Sequence, residues 1–281
     1  MKPSTVTLSK VQMSKRRSRR ERRAAAAAQG PALLSINPGT VLLDHEDRQI
    51  VIFTTDMLLN QLRRDGPKIE TSFDRLCDGD LRELSAFLSK TSGLLYSGLK
   101  IALRHNQKLR VACAQLLLNG ASSFVAATAI LRMGYVLQPG IIIRSILESV
   151  STVLHLLQHP RDLSAYENHT LQSPKTIAAA KTALPPFGVL YGHFSDNFAH
   201  IGHLHKSINP VVEFKERHEA LEVNLGSLRI AGWLLYVTSE LLFNELVGEP
   251  RYWYPVQNGY AYNPSPDERE WMSTFFRHAG V

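Results

Sequence analysis

Apolar residues recur at three- and four-residue intervals along most of this chain, the spacing that places them on one side of an α-helix. A first amphipathic helix is predicted over residues 46–64, with Ile50, Phe53, Met57, Leu58 and Leu62 on its apolar face and Gly66-Pro67 ending it. Asp78-Gly-Asp80 then offers an N-cap for a helix carrying Leu84, Phe87, Leu88, Leu95, Leu99 and Leu103 inward. Between Val111 and Leu131 no charged side chain occurs for 21 positions. That is long enough for a membrane span, but Gln115, Asn119, Gly120, Ser122 and Ser123 interrupt it, so a buried hairpin turning near Asn119-Gly120 is expected and no membrane partner.

Pro139 stands where a helix tolerates proline, and the helix it opens should run to His159 before Pro160 stops it. Further helices are expected from about Arg161, from about Pro174 and, after Pro185-Pro186, through a His-rich stretch. Residues 213–247 read as one long helix with Leu221, Leu225, Leu228, Trp233, Leu235, Leu242 and Leu246 inward. No sustained period-two alternation and no repeat of domain-repeat length is read here. The fold class is therefore all-α: a multi-helix bundle over residues 39–250, preceded by a basic, disordered arm over 1–38 and followed by an aromatic-rich extension, 251–281, that packs on it and ends in a short helix from about Pro266.

Two of the apolar helices carry a narrow stripe of reactive groups. Arg144, Glu148, Ser151 and His155 fall on one face of the first, among Ile, Leu and Val. The second holds His193, Ser195, Asp196, His200 and His203. Charged groups are seldom buried without partners, so the two stripes are expected to meet in a polar centre inside the bundle. His200 beside Ser195 or Asp196, facing Arg144 and Glu148, would bring a titrating group, a hydroxyl, a carboxylate and a fixed cation together, a set able to support acid–base chemistry. The same residues would serve equally as a structural network, with Arg144 and Glu148 as an i, i+4 pair.

Charge changes the picture only when divided along the chain. Residues 1–23 hold nine bases, among them Lys15, Arg16, Arg17, Arg19, Arg20, Arg22 and Arg23, against the single acid Glu21. Removing these from totals of 32 and 25 leaves 23 bases and 24 acids, so the +7 net charge resides in the arm and the body is balanced. Such an arm would contact phosphates through counterion release, without reading bases. A solvated leader and an organelle transit peptide are the other readings of it. The two cysteines, Cys77 and Cys113, lack metal-ligand or redox spacing and are expected as buried thiols in a reducing compartment, which with no export signal places the protein in the cytoplasm.

Phosphate-binding glycine loops, dinucleotide fingerprints, nucleophile elbows, His-Glu-x-x-His and paired-cysteine motifs are absent from the sequence. His193, His200 and His203 are the candidate metal ligands, yet of these only His200 and His203 stand one helical turn apart, so no metal or other cofactor is expected. The aromatic stretches Tyr252-Trp253-Tyr254 and Tyr260-Ala-Tyr262 have little interleaved basic charge and are expected to pack a C-terminal cap in preference to stacking bases.

Arg144-Ser-Ile-Leu-Glu148, followed by Tyr191-Gly-His-Phe-Ser195 with His200, resembles the pair of motifs in a bacterial helical family without an assigned activity, related to the HEPN-like bundles. The resemblance covers about residues 80–245. It implies a HEPN-like bundle, a place in a bacterial stress or phage-defence module and a homodimer, while the basic arm is what points to a partner, nucleic acid (RNA in preference to DNA) or an acidic protein. Active HEPN ribonucleases carry Arg-x4-6-His on one helix. In this chain ten residues separate Arg144 from His155 and seven separate Arg161 from His169. A metal-independent ribonuclease or toxin using His200 and Arg144, and a purely structural protein-interaction module, are the rival readings.

Overall fold

A computed structural model describes residues 38–44, 49–195, 203–206, 209–257 and 259–277. The chain separates into two compact units, 1–61 and 62–281. In the first, β1 (Pro38–Asp44) pairs antiparallel with β2 (Gln49–Thr54), Val41 opposite Ile52 and Leu43 opposite Ile50, and a single helical turn, α1 (Met57–Asn60), follows. Of the helix expected over 46–64, residues 49–54 are a strand, while residues 57–64 are helical, α1 continuing through the π-helical turn Gln61–Asp65. Ile50-Val-Ile-Phe-Thr-Thr55 explains the strand: a run of β-branched and aromatic side chains loses χ1 freedom in a helix and fits a pleated surface.

The second unit is mostly helical. Gly66-Pro67 opens a helix where a stop was expected, because proline at the first turn lacks only an amide that would be unpaired in any case. That helix, α2 (Gly66–Arg104), bends at Cys77 (φ −120°, ψ 20°), next to the weak helix formers of Asp78-Gly-Asp80. Asp80 is thus inside a helix and not its cap. It is followed by α3 (Lys108–Arg132), α4 (Gln138–Gln158), α5 (Leu163–Glu167), α6 (Ser173–Ala183), α7 (Phe187–Phe194) and α8 (Glu219–Leu242).

The hairpin expected at Asn119-Gly120 is instead one continuous helix. Gly120 has a packing role, since a Cβ there would stand 3.0 Å from Leu235 Cδ2, and α3 needs that space to approach α8. The chain turns later, at Gly134 (φ +91°), where Gly134 N–H donates to Leu131 O at 2.8 Å and Tyr135 N–H to Ile130 O at 3.2 Å, the paired bonds that close a helix end. The helix expected over 213–247 begins only at Glu219, capped by His218 Nδ1, which accepts from Leu221 N–H at 3.3 Å. Residues 209–218 run without regular structure.

Helices α2, α3 and α4 pack against one another in sequence and all three pack on α8; α6 covers the outer side of α4. α8 is buried on nearly every side, with Leu221, Leu225, Leu228, Trp233, Leu234, Val237 and Leu242 in the same core as Phe73, Leu95, Leu117, Ile143, Leu147 and Leu154. A helix apolar all round occupies the centre of a bundle. By length and composition α3 and α4 could each cross a membrane, but both are core helices here, packed on each other and on α8.

Residues 251–277 belong to this unit. β3 (Trp253–Val256) and β4 (Gly259–Tyr262) form a hairpin, and α9 (Pro266–Arg277) starts where the proline predicts. The hairpin is the second departure from an all-helix expectation. Its signal was the Asn258-Gly259 dipeptide between two aromatic runs, Gly259 taking φ +132°.

Two glycines of α2 test this packing. A Cβ on Gly98 would strike the ring of Phe243, whereas one on the exposed Gly93 meets nothing within 4 Å. Gly98→Ala is expected to cost about 1–3 kcal/mol by overpacking, while Gly93→Ala should gain about 0.5–1 kcal/mol from helix propensity. Urea unfolding of the two variants reads the difference, and equal midpoints would contradict the placement of Phe243.

Candidate functional site

The stripe on α4 divides by depth. Arg144 Nε lies 3.5 Å from Glu148 Oε1, and the two side chains keep 35% and 44% of their exposure. They form a surface pair one turn apart, and among the described residues no buried polar centre surrounds them, because Ile143, Ile146, Leu147 and Val150 take the faces of α4 that meet its neighbours. Further along, the stripe passes under α6. Ser151 donates to Glu148 O at 2.9 Å and shares a 3.2 Å hydrogen bond with Thr176 Oγ1.

His155, 1% exposed, sets Nε2 at 2.7 Å from Asp162 Oδ2, and Lys175 Nζ reaches the same oxygen at 2.8 Å. Hydrogen bonding from Lys175, then from His155, holds the Asp162 carboxyl below the usual range, so Asp162 is ionised and Nε2 is assigned as the donor. Among the described residues Nδ1 is buried with no hydrogen-bond partner. The set fastens α6 and the turn at Pro160–Asp162 to α4.

Ser195 ends α7 half-buried, and His193 is half-buried there with its ring edge-on to Phe194 at 5.6 Å. His203 lies in the short turn His203–Lys206. His200 and the arm residues Lys15, Arg16, Arg17, Arg19, Arg20, Arg22 and Arg23 lie outside the described residues. Among the described residues no three His, Cys, Asp or Glu side chains cluster as a metal site. Burial pushes the Cys77 thiol up to about 11 and the Cys113 thiol up to about 12, so both stay protonated and unreactive at neutral pH.

The charged centre of the bundle lies elsewhere, on the seam between α2 and α8. Asp80, 6% exposed, accepts from Arg217 Nη1 at 2.8 Å and Nη2 at 3.2 Å, and from Arg229 Nη2. Arg229 Nε also donates to Glu83 Oε2 at 3.0 Å, and Arg217 pairs with Glu222. Burial raises the Asp80 pKa, but the hydrogen bond from Arg217 and the charges of Arg229 and Arg217 outweigh it and hold the carboxyl below its ordinary value. Sequence reasoning took Asp80 for a cap. Arg229 as the one charge within the apolar run 223–239 was the available signal.

At the other end of the seam Glu240, fully buried, receives three backbone amides of the following loop on one oxygen: Arg251 at 3.0 Å, Tyr252 at 2.7 Å and Trp253 at 3.2 Å. Among the described residues its Oε2 has no hydrogen-bond partner, and burial raises its pKa above the usual carboxylate range. Tyr252 and Arg251 both donate onward to Glu268 on α9, at 2.7 and 2.9 Å. These groups bind the C-terminal segment to α8. Their geometry supports anchoring, with the charges spent on partners inside the protein.

No protein-family model, curated protein or solved structure matches this chain.

Depth separates the two ion-pair sites in a measurable way. Asp80→Asn removes the charge facing two guanidinium groups and is expected to cost about 3 kcal/mol, whereas Glu148→Ala should cost less than about 0.5 kcal/mol. Because Asp80 is depressed on folding, its contribution is complete above the unfolded carboxylate value, about 3.9, and is lost as pH falls through the lower folded one. Urea midpoints from pH 7 to 2 should fall more steeply in the native protein than in Asp80→Asn, and parallel curves would refute the assignment.

Glu240 has the opposite sign: its contribution is complete below the unfolded value and is lost as pH rises through the raised folded one. Glu240→Ala leaves three amides unsatisfied and should lower Tm by several degrees, whereas Glu240→Gln keeps the accepting oxygen and should stay within about 1 kcal/mol of the native protein. Calorimetry at pH 8 makes the comparison, and equal losses in the two variants would disprove the amide cradle.

Proposed function

We propose that this protein is a HEPN-like helical scaffold that associates with RNA through its basic arm, as part of a bacterial stress or phage-defence module. One observation carries the reading: nine bases against one acid in residues 1–23, ahead of a body with 23 bases and 24 acids. A polyanion would meet its attraction in the arm, at Lys15, Arg16, Arg17, Arg19, Arg20, Arg22 and Arg23, and little of it in the body.

The partners of the body's ionisable groups support a scaffold over an enzyme. Asp80, Glu83, Arg217 and Arg229 serve the α2–α8 seam, Arg132 holds Asp74 and Glu70 of α2, and Glu240 holds the C-terminal loop. The two protonated thiols suit a cytoplasmic setting.

Fluorescence anisotropy with a labelled single-stranded RNA and the matching DNA tests the arm. The full chain should bind with log K falling against log salt at a slope no steeper than about −6, the limit for nine contacts on a single strand. Deleting residues 1–23 should remove the salt-sensitive binding while leaving Tm unchanged. Undiminished binding would exclude the arm, and cleavage of the RNA that His200→Ala abolishes would replace the scaffold by a ribonuclease.

A further inference from the structure

We infer that the basin between α4, α6 and the β3–β4 hairpin is a binding site for a small amphiphilic anion, an apolar body ending in a carboxylate or phosphate. The basin has a volume of about 840 Å³, within the range of small-molecule sites. Leu154, Leu157 and Leu241 form its floor, and the hairpin supplies an aromatic wall. Trp253 and Tyr262 are direct cross-strand partners with rings 5.6 Å apart at 67°, and Tyr260, 43% exposed, stands at the mouth. Such a lining favours an apolar guest.

Charge decides which end the guest presents. A second hollow of about 450 Å³ shares Gln158 and His159 with the basin and extends it past Arg161, Asp162 and Lys175. Among the described lining residues of the two, Arg110, Arg161 and Lys175 are bases and Asp162 is the one acid. Asp162 is already held by Lys175 and His155, and Arg110 by Glu245 and Leu242 O. Arg161 is exposed and makes no ion pair among the described residues, so its guanidinium, beside His159, is the charge that a guest's head group would meet. A cationic head would face the same excess of bases, and a neutral one would leave Arg161 unanswered.

Isothermal titration of the full chain with dodecanoate and dodecyl phosphate, against dodecanol and dodecyltrimethylammonium, all below their micellar concentrations, tests the site. At least one anion should bind saturably at one per chain, ten or more times tighter than the alcohol, with the cation silent. The stronger of the two anions identifies the head group. Arg161→Glu, an exposed change, should abolish the preference for the anion at unchanged Tm. Thr182→Trp, on the exposed rim of α6, should block the basin and weaken every binding probe at least tenfold. Absence of anion binding, equal affinity across the head groups, or anion affinity indifferent to either variant would overturn the proposal.

Discussion

A helix apolar on nearly every side has to be enclosed, and in this protein α8 is that helix. Its neighbours α2, α3 and α4 are arranged to surround it, and the small residues at the contacts, Gly120 beneath Leu235 and Gly232 beside Phe124, set how closely they approach. Enclosure by apolar contact alone is tolerant of register. The Asp80 carboxylate removes that tolerance, because a buried anion has to meet Arg229 of α8 together with Arg217 of the segment before it, which restricts the rotation and height of α8 against α2.

The remaining buried polar groups follow the same logic at a smaller scale. Asn224 Nδ2 donates to Val136 O at 2.8 Å and to Ala220 O at 2.7 Å, fixing the start of α8 to the turn between α3 and α4. Phe214 N–H donates to Ser72 Oγ at 2.9 Å, which places the irregular segment before α8 against α2. Glu240 gathers the loop after it, and His155 gathers α6. Ser72, Asn224 and Glu240 each tie a connection without regular structure to a helix, which is where apolar packing specifies position least.

Long helices were legible because their apolar spacing and punctuation agree. Pro139 and Pro160 bracket α4, Pro174 opens α6 and Pro266 opens α9, each at a position that proline's fixed φ permits. What was not legible depended on partners distant in sequence. Gly120 read as a turn because the neighbour that needs its small size, Leu235, lies more than a hundred residues on. Asp80 read as a cap because its cations lie equally far away. Helical spacing gave Arg144 and Glu148 the same face as His155, but it carried no information about depth, and α4 emerges at one end of that face and is covered by α6 at the other. The two hairpins were missed for local reasons: the apolar residues of β2 also fit helical spacing, and β3 and β4 are only four residues each.

The order of the elements has a consequence for the chain as it is made. Asp80 and Arg229 are 149 positions apart, and α8 is the last of the four long helices to leave the ribosome. Until then α2, α3 and α4 are synthesised with the surfaces meant for α8 open to water, and at ordinary elongation rates that interval lasts several seconds. The nascent protein therefore passes through a stage in which its largest apolar surface lacks a cover, and holdase chaperones or self-association would act on it then, before the native bundle can form.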